Sequence, residues 1–544
     1  MDTPAPIARD LTLASGLAGV MTLGWWWVRR ADLARLALPD GDDAVRLQQI
    51  RDWLGGQAFG DLGQVRIGVE GVAMHWSRLP DLIPAAMLRA GLGEATMLIL
   101  WPALLFAGFL FVTARLARAV GARPIDAAIL AALAYPATTL FAPGRIDHHG
   151  LQMVLLALFA LGLVARRKRA GGIAAGVAAA LSLGIGMETA PMLAVGIGIA
   201  VLQWARTPGP RLLAMAVALF FGLALLAMVF APGDWASAPC DGFARASWRA
   251  GSISAAALLL LALGGKRLFS PRARLIAALA TGGAAVAGIA WFVPACFSPY
   301  GAVDPALARV WLTQVGEAQP LFAADPRWAI GYVGVGVVGL VAAALTARHR
   351  PALTIAALVA AGLGIALLQL RGAYAAAALA PPLIALSLDR ARGVSPLAAL
   401  PVWVAGAGIV WPIAAAALPV RTAPPAGSRC DGIDQARAMA ALPPGRVLGP
   451  VDLGPWLLVA TRHHAIAAPY HRNAAGNLAS YRLFAGNEGA ARAIVRDLRV
   501  DYVVACPAAL SAMRTNRGVG AVLVGENAPA WLQPTGVANV WRLR

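Results

Sequence analysis

The chain has 544 residues, of which 59% are hydrophobic and 13% charged, with a net charge of +19. A soluble globular protein carries about 25% charged residues; the deficit here extends over most of the chain, which excludes an ordinary soluble enzyme. The basic residues are scattered among short loops and form no single stripe, which excludes a nucleic-acid-binding surface.

Apolar stretches of roughly span length recur along the chain, about 13 in all, near 11–28, 94–114, 125–141, 150–165, 171–187, 189–205, 211–231, 252–264, 273–293, 328–347, 352–370, 373–388 and 396–418. The sequence therefore predicts a polytopic α-helical membrane protein. Some stretches fall short of the roughly 20 residues that cross a bilayer and must tilt or thin it. The first, LTLASGLAGVMTLGWWWV, is too long for a signal core and precedes no small-x-small site. It is expected to be a retained helix, anchored by Trp25, Trp26 and Trp27 at the interface.

Basic loops follow alternate stretches: ARLARAVGARP, ARRKRA, RTPGPR, GGKRLFSPRAR, TARHR and DRARG. Positive loops stay on the cytoplasmic side, so the N-terminus is expected to be cytoplasmic and the C-terminus external, here periplasmic. The expected location is the bacterial inner membrane, multi-pass. The external side then receives the long loops 29–93 and 294–327, the segment 142–149 and the tail. It also receives Cys240, Cys296, Cys430 and Cys506. In an oxidising compartment four cysteines permit two disulfides, and the expected pairs are Cys240–Cys296 and Cys430–Cys506, with buried free thiols as the alternative.

After 418 the composition changes. TAPPAGS reads as a linker over 419–428. Short apolar runs in GRVLGPVDLGPWLLVAT, HHAIAAP and RVDYVVACP alternate with the helix-like GIDQARAMAAL and GAARAIVRDL. Residues 429–544 are expected to form a small α/β domain beside a membrane domain over 1–418. The chain contains no phosphate loop and no repeat.

Charged groups on the external side are the candidates for chemistry, because dehydrating an ionisable group costs roughly 2.5–3.5 kcal/mol at mid-span and less near the interface, so such groups are kept where they meet ions, substrates or each other. Asp40, Asp42 and Asp43 follow the first stretch, where they also suit a helix N-terminus. Asp147, His148 and His149 occur in GRIDHHG; in an extended turn, Asp147 and His149 would aim one carboxylate and one imidazole at a single point, a donor mixture that a hard divalent ion accepts. Glu188 precedes the sixth stretch and reads equally as a first-turn carboxylate. Asp304, before Pro305, reads as a cap. Glu317 lies in TQVGEAQP, and Arg371 in the short LQLRGAY link, where an interfacial anchor is the simpler role.

These segments resemble the catalytic subunits of oligosaccharyltransferases, membrane glycosyltransferases of the GT-C class. The resemblance rests on DDAVRL, MHWSRLPDLI, GRIDHHG, TQVGEAQP and the late membrane-edge arginine, in that order and on the expected side. It implies a GT-C-like fold of about 13 transmembrane helices with an external C-terminal domain. It implies that Asp43, Asp147, His149 and Glu317 gather around a divalent cation, magnesium or manganese, and that Arg371 binds the donor's phosphate. Asp43 or Glu317 would orient or deprotonate the acceptor as the catalytic carboxylate. The family's Trp-Trp-Asp motif is altered here: Asp452 stands in GPVDLGPW, with Pro450 and Val451 in place of both tryptophans. Asp452, His75, Trp76, His471 and Arg472 are the candidates for contact with acceptor or glycan. The partners implied are membrane lipid, a polyprenyl-(pyro)phosphate-linked sugar donor and a glycan or protein acceptor. Two alternatives stay open: a GT-C monosaccharide transferase that uses a polyprenyl-monophosphate sugar to modify lipopolysaccharide or another envelope glycan, and a non-enzymatic transporter or scaffold.

Overall fold

A computed structural model describes residues 4–236, 239–297, 303–311, 315–419, 432–507, 510, 518–524 and 528–544. The helices in chain order begin with α1 (Pro4–Ala34), α2 (Gly41–Leu54), α3 (Leu82–Arg89), α4 (Glu94–Val120), α5 (Pro124–Ala132) and α6 (His149–Val164). They continue with α7 (Lys168–Ile185), α8 (Ala190–Arg206), α9 (Pro210–Phe230), α10 (Arg245–Gly264), α11 (Pro271–Phe292) and α12 (Pro305–Val310). Then come α13 (Pro326–Thr346), α14 (Arg350–Ala366), α15 (Gly372–Leu379), α16 (Pro381–Val394), α17 (Ala399–Gly406) and α18 (Val410–Ala415). The last are α19 (Gly432–Met439), α20 (Gly454–Ala460), α21 (Ala474–Ala485), α22 (Glu488–Asp497) and α23 (Val519–Val524). The chain divides into two compact units: Met1–Val28, His75–Gly301 and Gly316–Pro419 form unit one, and Arg29–Met74, Ala302–Val315 and Val420–Arg544 form unit two.

Unit one is helical. Among the described residues, seven helices are long and apolar enough to cross a membrane: Ile7–Ala34, Glu94–Val120, Pro210–Phe230, Arg245–Gly264, Pro271–Phe292, Pro326–Thr346 and Gly372–Val394. α6, α8 and α14 are shorter apolar helices. The stretch expected over 125–141 is interrupted: α5 stops at Ala132, and Pro136 precedes a 3₁₀ turn over Ala137–Phe141. A proline lacks the N–H for helix continuation and restricts the residue before it. Of the tryptophan cluster, Trp27 is exposed, whereas the Trp25 ring packs 5.4 Å from that of Phe106 on α4.

Small residues set the helix spacing. A Cβ at Gly172 or Gly176 of α7 would lie 2.3 or 2.4 Å from backbone carbonyl oxygens of α9, and one at Gly171 would lie 2.5 Å from the Gly162 carbonyl oxygen of α6. The α7 stripe thus brings three backbones into contact, the packing mode that lipid favours because lipid tails are as apolar as leucine.

The six basic loops meet at one end of this unit. Asp10 receives both Arg118 (2.6 and 2.7 Å) and Arg115 (3.2 Å). Arg123 pairs with Asp389 at 3.1 Å, and Arg392 with Asp126. A His349 ring nitrogen lies 2.9 Å from the Val120 carbonyl oxygen, Arg350 donates to Thr207, Arg211 to the Ala165 carbonyl and Arg274 to the Ala205 carbonyl. Each guanidinium bonds a helix-end carbonyl, a hydroxyl or a carboxylate, so each loop is tied to another. The segments holding Asp147, Glu188 and the Cys240–Cys296 disulfide lie at the opposite ends of the same helices.

Unit two contains a five-stranded sheet built from β3 (Arg446–Leu448), β4 (His464–Ala465), β5 (Tyr502–Val504), β6 (Leu532–Pro534) and β7 (Val540–Leu543), in the order β4-β3-β5-β7-β6. β3 runs parallel to β4 and β5, with α20 as the first crossover and α21 and α22 in the second. Met439, Val447, Leu457, Tyr502, Val504 and Val540 fill the core. A hairpin of β1 (Gly63–Gln64) and β2 (Val72–Ala73) from the long first loop covers the β4 edge: Ile67 bridges to Ala465, and the Arg66 guanidinium donates to the carbonyls of Leu458, Thr461 and His463. An edge strand left open is a pairing liability, and this hairpin closes it. The Cys240–Cys296 disulfide is present; Cys430 lies outside the described residues.

Candidate functional site

GRIDHHG forms a tight turn into α6. Gly144 sits at φ +92°, where a side chain would be strained, and its N–H donates 2.7 Å to the Leu98 carbonyl. Gly150 presses on the 137–141 segment, where a Cβ would meet the Leu140 carbonyl oxygen at 2.8 Å. The expected extended turn does not form. His148 has helical angles (φ −83°, ψ −14°), and His149 is the first residue of α6. The reason is local: the Asp147 carboxylate accepts the His149 backbone N–H at 3.0 Å and starts the helix.

Asp147 is buried and pairs with the Arg145 guanidinium at 2.6 Å. Burial pushes its carboxyl upward, but Arg145, His149 and His148 outweigh that and hold it at about 2. His148, rather than His149, carries the strongest tertiary contact of the trio. Its Nε2 lies 3.2 Å from Glu188 Oε1, while Gln152 Nε2 donates 2.9 Å to Glu188 Oε2. Against burial, His148 first and then His149 and Gln152 keep Glu188 well below the usual carboxylate range. Glu188 is thus a tertiary partner and not the cap of α8, whose N-cap is Thr189. Trp76 packs on His148 with rings 5.8 Å apart, and the His75 ring lies 5.2 Å from that of Trp76. The His75 backbone carbonyl is pressed against Gly242, in the loop that holds Cys240.

Glu317 and Arg371, 54 residues apart, form the second part. Arg371 donates 3.2 Å to Glu317 Oε1 through its guanidinium and 3.0 Å to the Glu317 carbonyl through its backbone N–H. Leu370 N–H to Gln319 O (2.8 Å) and Leu321 N–H to Ala366 O (3.1 Å) fix the two segments side by side. Arg371 is therefore held by a carboxylate, more than an interfacial anchor requires. A tyrosine ladder packs beside this second part, in one cluster with Leu321 and Leu370: Tyr135 packs edge-on to Tyr332 at 5.5 Å, and the Tyr332 and Tyr374 hydroxyls are 3.2 Å apart.

In unit two, Asp40 is the N-cap of α2, accepting the Asp42 N–H at 3.1 Å, and Asp43 is buried in the first turn. Gly41 lies against Pro455, beside the segment that holds Asp452. Asp452 is exposed; partial loss of hydration, and then the Asp40 charge, shift its carboxyl above its ordinary value. Burial, Asp42 and Asp40 raise the buried Tyr470 hydroxyl well above its own. Arg472 donates 3.1 Å to the Ala73 carbonyl, and His471 begins the same short 3₁₀ turn. His463 serves the fold: its ring nitrogens engage the Gly445 N–H and the Met439 carbonyl.

Sequence reasoning missed Arg145, Gln152, the ladder tyrosines and the pairing of His148 with Glu188. Only the polarity of these residues beside apolar runs could have signalled them.

No family model and no curated protein matches the chain. Solved structures do. The archaeal oligosaccharyltransferase AglB from Archaeoglobus fulgidus, in complex with an inhibitory peptide and a dolichol-phosphate, matches with a TM-score of 0.68 at 16% identity, over 91% of this chain and 69% of that one. The chain has the oligosaccharyltransferase fold. The A. fulgidus oligosaccharyltransferase tethered to an acceptor peptide containing the NVT sequon matches with a TM-score of 0.66 at 16% identity, over 92% and 69% of the two chains. Its complex with Zn and sulfate gives 0.62 at 16% identity, over 91% and 67%. At this identity the likeness is one of fold, the membrane glycosyltransferase GT-C fold that the motifs implied.

Proposed function

We propose that this protein is a membrane glycosyltransferase that moves a glycan from a polyprenyl-(pyro)phosphate donor to an acceptor on the periplasmic side, with inversion and with help from a divalent cation. The observation that carries the proposal is the Glu317–Arg371 pair, within a chain of oligosaccharyltransferase fold whose buried Asp147 is paired with Arg145. A membrane domain over 1–418 with about 13 crossings, a linker over 419–428 and an external domain over 429–544 complete the reading. The Cys240–Cys296 disulfide supports an oxidising compartment for the loops that hold it.

The residues suit a cation in chemistry. Asp147 stays ionised although buried, Glu317 offers a second carboxylate, and His149 an imidazole in the same turn as Asp147. Asp43, Asp147, His149 and Glu317 are the proposed ligands, for magnesium or manganese. When bound, the ion supplies Lewis-acid neutralisation of the departing phosphate charge. Arg371 presents a planar fork to that phosphate and is aligned by Glu317. Arg145 offsets the charge of Asp147 before substrate arrives. The acceptor approaches sugar C1 on the face opposite the phosphate, and Asp43 or Glu317 orients it and takes its proton. Asp452, His471 and Arg472 in unit two, with His75 and Trp76 in unit one, are the proposed contacts for acceptor or glycan. With Pro450 and Val451 in place of two tryptophans, the acceptor need not be a sequon.

The test is consumption of a polyprenyl-pyrophosphate glycan or a polyprenyl-monophosphate sugar by the purified chain. Turnover of the first, lost in Arg371→Ala, supports the proposal. Turnover of the monophosphate sugar alone favours the monosaccharide transferase, and turnover of neither favours a transporter or scaffold.

A further inference from the structure

A cavity of about 270 Å³ opens at the basic end of unit one, among the ends of five helices. Its rim carries Arg166, Lys168, Arg211 and Arg350, and no carboxylate lines it. Its floor is mixed. Trp204, Leu212 and Thr354 are buried, and Gln203 Nε2 donates 2.9 Å to Thr354 Oγ1. The walls are fixed by bonds the chain makes with itself: Arg211 to the Ala165 carbonyl at the end of α6, Arg350 to Thr207 at the end of α8 (3.3 Å), and Thr207 to the Gln203 carbonyl (3.1 Å). The helices α7, α9 and α14 all begin here, so the positive ends of their dipoles add to the potential of the side chains. The cavity lies one length of α6 from Asp147, roughly 22 Å at 1.5 Å per residue, and shares no residue with the proposed transfer site.

We propose that this cavity binds the phosphate headgroup of an anionic phospholipid. Three observations point to a lipid. The cations surround a floor that is part apolar and part polar, as a headgroup with its glycerol requires. Leu202 on α8, the helix that also supplies Ala200, Gln203 and Trp204 to the cavity, is 50% exposed, so apolar surface for an acyl chain stands on the same helix. The basic end of a helical membrane unit is where such helices leave the bilayer, and basic pockets between spans at that level recognise anionic headgroups.

The test is native mass spectrometry of the full-length protein exchanged with phosphatidylglycerol, cardiolipin or phosphatidylcholine. The variant R166Q/K168Q/R350Q is compared with R167Q/R169Q, which removes the same type of charge from neighbours that do not line the cavity. The expected result is retention of both anionic lipids and not of phosphatidylcholine, weakened on the order of a hundredfold in the triple variant and little changed in the control. The single variants R166Q and K168Q, both at exposed side chains, are each expected to weaken retention several-fold, so the inference stays testable if the triple variant folds poorly. Equal retention by the triple variant and the control overturns the site. Stabilisation by inorganic phosphate alone, with the same variant dependence and no lipid retention, overturns the lipid assignment in favour of a soluble phosphate ligand.

Discussion

The His148–Glu188 pair should hold the Asp147 turn in place, and its energy can be measured as a coupling. The His148 side chain is 2% exposed and that of Glu188 17%. Glu188 accepts from two donors, His148 at 3.2 Å and Gln152 at 2.9 Å. Removing one partner of a buried pair leaves the other group desolvated and costs about 3–5 kcal/mol; the bond to Gln152 adds about 1 kcal/mol to the loss in Glu188→Ala. Glu188→Ala and His148→Ala are therefore each expected to destabilise by about 3 kcal/mol or more. Because both remove the same interaction, the double variant should cost about 2 kcal/mol less than the sum. The assay is reversible denaturation in mixed micelles of the wild type, the two single variants and the double variant, with glycan transfer measured on the same samples. Transfer should fall in both single variants through turnover rather than donor affinity, since Arg371 is untouched. Additivity within about 0.5 kcal/mol would refute the reasoning, because it would mean that the two side chains do not share an interaction.

Asp10→Ala should destabilise by about 1–2 kcal/mol, because it removes a buried carboxylate that accepts from both Arg115 and Arg118 while the part-exposed Arg118 stays hydrated; the same denaturation measures it. Asp147 gives a pH prediction with a definite sign. Its carboxyl is held at about 2, below its ordinary 3.8, so its stabilising contribution is complete above 3.8 and is lost as pH falls towards 2. A pH–stability profile should thus show no inflection from Asp147 above pH 5, and an inflection there that disappears in Asp147→Asn would contradict the assignment. Gly176→Leu should abolish folded yield in membrane extracts, since the new side chain must displace a backbone carbonyl of α9 that a Cβ alone would meet at 2.4 Å. Cys240→Ser/Cys296→Ser should lose about 4 kcal/mol at most, the chain-entropy value for a closed loop of 56 residues, read as a lower denaturation midpoint under oxidising conditions.

Much of the fold is legible in hydropathy, because a membrane helix must satisfy its own backbone and bury little else. Helix accompanies every expected apolar stretch. The caps at Asp40 and Asp304 and the helices over GIDQARAM and EGAARAIVRD were local enough to read. Long-range pairings were not. Glu188 looks like a first-turn carboxylate until α6 and α7 pack and set His148 against it. Arg371 looks like an anchor until the 317–321 segment lies beside it. The turn at His148 went the other way from expectation because one side-chain bond, from the Asp147 carboxylate to the His149 N–H, recruits that turn into α6. Nothing in the sequence of 63–73 announces that this hairpin seals the edge of a sheet built almost 400 residues later; that follows from the exposed edge of β4.

The central claim is that Asp147, Glu317 and Arg371 serve glycan transfer from a lipid phosphate. Its most direct measurement is the release of polyprenyl phosphate or pyrophosphate, according to the donor, from a polyprenyl-linked glycan by the purified protein supplied with acceptor, with magnesium or manganese present and then chelated, for the wild type, Asp147→Ala and Arg371→Ala. The account predicts release that stops on chelation and falls at least a hundredfold in both variants while the protein stays folded. Release that is unchanged by chelation and by both substitutions would contradict it.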